Sequence, residues 1–71
     1  MPKLYSSREV IKTLERQGFI FISRKGSHLK YRKTGNNKTL TVIVPANKKE
    51  IPLGTFRSIL RQLQLSEKNF F

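Results

Sequence analysis

The 71-residue sequence has no cysteine, a single histidine and only four acidic residues. Without cysteine there is no disulfide staple, and one histidine as the only other good soft-metal ligand cannot build a tetrahedral structural zinc site. The fold must rest on hydrophobic burial alone, in a chain short enough that its stability margin is thin. Long apolar runs are also missing. The longest, Phe19 to Ile22, falls far below the ~18 residues a membrane span needs, and Met1-Pro2-Lys3 does not lead into the apolar core of a signal peptide. These absences predict a soluble, cytoplasmic chain forming one domain over residues 1–71, with no cofactor and no room for a deep metabolite cavity. There is no internal repeat, linker or low-complexity segment.

What is abundant is positive charge. Fifteen Lys and Arg against the four acidic residues give a formal net charge of +11, an electrostatic footprint for polyanions. Phosphate backbones, acidic membranes and acidic proteins would all be attracted. An excess this large in so short a chain favours nucleic acid over a merely solvated surface.

Local patterns divide the chain into five elements. Ser6-Ser7-Arg8-Glu9 has the S-x-x-E spacing of a capping box, Val10, Ile11 and Leu14 recur at helical spacing, and Gly18 sits where a left-handed C-cap belongs. The first helix is predicted over 7–17. Phe19 to Arg24 is rich in aromatic and β-branched residues, Lys25-Gly26-Ser27 is a turn signal, and His28 to Lys33 alternates along a strand. Thr34-Gly35-Asn36-Asn37 marks a second turn, and Leu40 to Val44 a third strand ended by Pro45, which cannot continue a ladder. Ala46 to Gly54 reads as an exposed connection carrying Lys48 and Lys49. Phe56, Ile59, Leu60 and Leu63 then form the apolar stripe of a second helix, with Arg57, Arg61 and Gln62 facing away. Phe70 and Phe71 either close the core or leave an exposed end.

The order predicts an α+β fold, α-β-β-β-α, with two helices packed on one face of a three-stranded antiparallel sheet and the other face left for a ligand. The expected core is Val10, Ile11, Leu14, the strand residues Ile20, Ile22, Leu29, Tyr31, Val42 and Val44, and the second-helix stripe. Phe19 and Phe21 are expected to pack rather than to stack on RNA bases.

Histidine is the one side-chain type that titrates near neutrality unaided, and His28 is the only one present, so acid–base chemistry would fall to it. It follows a Gly-Ser turn at the start of a strand. Arg24 and Lys25 come just before it, and Lys30 and Arg32 follow at alternate positions, on its side of the strand. Ribonuclease chemistry needs little more, since RNA supplies its own 2′-hydroxyl nucleophile and lysine or arginine can stabilise the phosphorane charge.

The residues that carry this chemistry also carry a likeness. Gly18-Phe19 after the first helix, Arg24-Lys25-Gly26-Ser27-His28 with Tyr31, Val44-Pro45, and Gly54-Thr55-Phe56-Arg57-Ser58-Ile59-Leu60-Arg61-Gln62 closely resemble, in order and spacing, the HicA family of toxins. The resemblance covers nearly the whole chain. It implies a double-stranded-RNA-binding-domain-like fold used as an mRNA interferase, one half of a bacterial or archaeal toxin–antitoxin pair, with His28 catalytic and a HicB-like antitoxin as partner. Family members commonly carry another histidine soon after the third-strand proline; Ala46-Asn47-Lys48 stands there in this chain, which leaves His28 alone.

The expectation is therefore a metal-independent endoribonuclease in which His28 moves the proton. Arg24, Lys25, Ser27, Lys30, Arg32, Lys48, Lys49 and Arg57 would contact RNA. Its rival is a non-catalytic RNA-binding module whose His28 only touches phosphate or ribose. A DNA-binding accessory protein fits less well, because two helices separated by three strands lack helix-turn-helix spacing. Neither the RNP1 pattern of an RRM nor the G-x-x-G loop of a KH module occurs.

Overall fold

The computed structural model of the chain describes residues 4–35 and 37–64. Phe70 and Phe71 lie outside them. Helix α1 (Ser7–Arg16) is followed by strands β1 (Ile20–Lys25), β2 (His28–Gly35) and β3 (Lys38–Pro45) and by helix α2 (Leu53–Leu63). This is the α+β order expected from the sequence. No helix among the described residues is long and apolar enough to cross a membrane.

The S-x-x-E box does start α1. Ser6 Oγ accepts from the Glu9 backbone N–H at 3.1 Å and Glu9 Oε1 accepts from the Ser6 N–H at 3.0 Å, satisfying donors that a helix start leaves orphaned. At the other end Gly18 takes a left-handed φ of +96°, which only glycine adopts freely. Gln17 is the C-cap, so the helix ends one residue short of expectation.

The strands form an antiparallel meander in the order β1-β2-β3. A two-residue turn at Gly26-Ser27, with Gly26 at φ +60°, sets the register Lys25↔His28. The β2–β3 register then runs unbroken from His28↔Pro45 to Gly35↔Lys38. Paired residues share a face, and alternation along each strand divides the sheet chemically. Leu29, Tyr31, Val42 and Val44 turn toward the helices, whereas His28, Lys30, Arg32, Thr41 and Ile43 turn away. Val10 and Leu14 of α1 and Phe56, Ile59 and Leu63 of α2 close on Tyr31, Val42 and Val44, joined by Phe19 and Ile51.

Three expectations about burial are corrected. Ile20 and Ile22 are 64% and 38% exposed, not core: Ile20 pairs with Arg32 on the open face, and Ile22 falls in a β-bulge between Phe21 and Ser23. Phe21 stays 54% exposed although its ring meets Tyr31 edge-on at 5.7 Å, because both helices pack chiefly against β3 and leave β1 uncovered. Phe19, just before the strand, is buried as expected. The connection after β3 is not wholly exposed either. Ala46 is buried and Ile51 is 0% exposed, since this segment passes beneath the N-terminus of α1, where the Ile51 N–H donates to the Tyr5 carbonyl at 2.7 Å and the Tyr5 and Phe56 rings lie 5.0 Å apart.

Candidate functional site

His28 is the first residue of the central strand, held between Lys25 on one side and Pro45 on the other. Direct cross-strand pairing brings the Cβ atoms of Lys25 and His28 to about 5 Å. Lys30 and Arg32 continue along the same face, reaching roughly 13 Å from His28 at the strand's rise per residue. Arg32 Nε is the one buried side-chain nitrogen or oxygen among the described residues that lacks a hydrogen-bond partner.

Beside His28 runs a groove of about 360 Å³, bounded by Ile43 and Pro45 of β3, Lys48, Pro52, and Thr55, Ser58, Ile59 and Gln62 from α2. The helix forms this wall because its stripe at 56, 59 and 63 is anchored in the core, which turns the flank at 55, 58 and 62 toward the open edge of β3. Gln62 fastens the two together: its Oε1 accepts the Ile43 backbone N–H at 3.1 Å. Lys48 is fixed by Ser7, a polar residue only 4% exposed. Ser7 Oγ accepts the Lys48 N–H at 3.0 Å and donates to the Pro45 carbonyl at 2.6 Å, while the Ser7 N–H donates to the Lys48 carbonyl at 2.9 Å. The Ala46 N–H donates to the Ser27 carbonyl at 2.7 Å, tying the turn before His28 to the same segment.

Histidine at the lip of a groove, with cations ranked along one sheet face, sits on a chain whose residues 7–65 match the family model described as HicA toxin of bacterial toxin-antitoxin. The chain belongs to the HicA toxin family. The match runs from the first residue of α1 to beyond α2 and so takes in every residue of the groove. Membership makes this chain the toxin half of a toxin–antitoxin pair, and implies in general terms an antitoxin partner and RNA as the substrate class. No curated protein matches the sequence.

The fold of this HicA toxin gathers some of the expected RNA-binding residues and disperses others. Lys25, Lys30 and Arg32 share the open face with His28, Ser27 lies in the adjoining turn, and Lys48 lines the groove. Arg24 goes elsewhere. It pairs with Leu29 on the helix side, and its Nε donates to the Gly26 carbonyl at 2.9 Å, bracing the turn. With Arg8, Lys12 and Lys49 it borders a second groove, of about 750 Å³, against α1, which Lys48 also lines. Arg57 is on the flank of α2 turned away from the His28 groove. Strand alternation separates Arg24 from Lys25, and helix periodicity separates Arg57 from Ser58.

The groove also holds residues that the sequence did not single out for function. Thr55 stood only within the Gly54 to Gln62 motif, and Gln62 read as facing away. Their signal was the polar spacing 55, 58 and 62, a second stripe beside the apolar one, whose meaning depends on which strand edge the helix meets.

Proposed function

We propose that this toxin is a metal-independent endoribonuclease, an mRNA interferase, in which His28 moves a proton. What carries the proposal is the set of His28, Lys25, Lys30 and Arg32 on one face of a rigid sheet. In the reaction the RNA 2′-hydroxyl attacks the adjacent phosphorus and the bond from phosphorus to the 5′-oxygen breaks, leaving a 2′,3′-cyclic phosphate and a 5′-hydroxyl. His28 serves one of the two proton transfers, removal from the 2′-hydroxyl or delivery to the 5′-oxygen, and solvent serves the other at this exposed site. Lys25, beside it, stabilises the phosphorane charge, and Lys30, Arg32 and Lys48 hold flanking phosphates. No step of this reaction calls for a metal ion, so cleavage should survive EDTA.

Single-turnover cleavage, RNA affinity and melting temperature measured on one variant test the assignment. His28→Ala should lose roughly 10² to 10⁴ in rate while affinity falls far less, and its toxicity should vanish. A folded variant that binds RNA and cleaves at the wild-type rate would end the catalytic role. Lost affinity with intact chemistry would instead favour the non-catalytic RNA-binding module.

The partner we propose is a HicB-like antitoxin with excess acid where it meets the basic face, since complementary potentials speed encounter and fix register. Copurification from the native operon should recover the two together. Recovery of the free chain from cells that tolerate it would contradict the pairing.

A further inference from the structure

We propose that the groove between His28 and α2 is a nucleobase pocket for the nucleotide beside the cut, and that Gln62 makes it select keto bases, uracil or guanine. This rests on the reading of His28 as the residue at the cleavage point.

The orientation of Gln62 is decided by chemistry. A backbone N–H can only donate, so the amide atom facing Ile43 at 3.1 Å must be the oxygen, and the nitrogen is the other end. Its two N–H donors have no hydrogen-bond partner among the described residues and are left to the groove that Gln62 lines. Hydrogen-bonding capacity in the groove is therefore lopsided. Thr55 and Ser58 hydroxyls and the His28 ring either donate or accept, Lys48 only donates, and among the described residues no carboxylate lines the groove. The amide oxygen of Gln62 is turned to the Ile43 N–H, so the end of the amide left for a ligand in the groove is its NH2. That NH2 complements O4 of uracil or O6 of guanine, at the position where cytosine and adenine carry an amino donor. Ile43, Pro45, Pro52 and Ile59 supply apolar walls for a flat ring. The volume of about 360 Å³ is at the small end for ligand sites, the scale of one base and not of a duplex. Lys48 and His28, at the rim, meet the phosphate that joins this base to the next nucleotide.

The test pairs cut-site mapping on a randomised single-stranded RNA pool with selection of bound RNA from the same pool by His28→Ala protein. Each is carried out with Gln62 intact and with Gln62→Glu and Gln62→Met, both checked for folding by melting temperature. Gln62→Glu keeps an oxygen for Ile43 but replaces the donors with an acceptor, and should turn a roughly tenfold keto preference toward cytosine and adenine. Gln62→Met should erase the preference. His28-dependent cleavage with the same base ranking in all three proteins would overturn the pocket and leave the nuclease standing. Base-selective, Gln62-dependent binding without any cleavage would sustain the pocket and overturn the nuclease. Absence of both binding and cleavage would overturn both.

Discussion

Burial raises the pKa of the Tyr31 phenol, and the negative charge of Glu15 adds to the shift. A phenol in the unfolded chain ionises near 10, so below that pH both states hold the proton and the shift has no effect on stability. Above it the unfolded chain releases the proton first, and stability falls as pH climbs through the folded value. Tyr31→Phe should remove this component. The stability difference between wild type and variant, from urea melts, should be flat below about pH 10 and move in favour of the variant above it. A difference that stays constant through pH 11 would show that the phenol is not held in its neutral form. His28 and Ser7 belong to the same scale. The histidine was legible because it is unique and follows a Gly-Ser turn. The role of Ser7 was not, because its hydroxyl works against Pro45 and Lys48, far away in sequence.

Among the elements, the helices followed their local signals closely, whereas β2 ran on through Thr34-Gly35, β3 extended from Lys38 to Pro45, and β1 lost its expected burial. Periodicity located the buried stripes of α1 and α2 because a helix carries its own face in its spacing. Strand β1 is apolar at consecutive positions, so its sequence held no face to read, and the position of the helices over β3 left it exposed. The connection before α2 misled in the opposite sense, its lysines and proline concealing Ile51. Two substitutions measure this inversion. Ile51→Ala should cost about 2–5 kcal/mol, as for other fully buried aliphatic residues, whereas Ile20→Thr on the open face should stay within about 0.5 kcal/mol. Chemical denaturation of both variants checks the ranking, and equal costs would contradict the packing described.

For the molecule as a whole, a net charge of +11 makes binding to RNA depend steeply on salt, with log K falling by roughly 0.7 per phosphate contact on a single strand. The structure separates two of the proposed contacts. Lys48 lines the groove with His28, whereas Lys49 borders only the groove against α1. Lys48→Ala should therefore weaken binding and flatten the salt slope by about 0.7, and Lys49→Ala should do so far less, both folding normally as exposed loop variants. Affinities across a salt series decide it. Equal flattening by the two would extend the RNA path around Lys48 into the second groove.

The sequence by itself determined the element order, the helix stripes, the polyanion-binding charge and the identity of the one histidine, since capping, turn chemistry and composition act through neighbouring residues. It also determined that Lys30 and Arg32 share a side with His28, because strand alternation has a fixed period. Only the tertiary structure decided that Lys25 pairs directly with His28, that β1 is bare, and that Gln62 meets the edge of β3 beside His28. Those outcomes depend on register and on how the helices dock. The Gly26-Ser27 turn sets the register of β1 on β2, and the docking follows from the fit of Tyr31, Val42 and Val44 against Phe56, Ile59 and Leu63, residues that become neighbours only when the chain has folded.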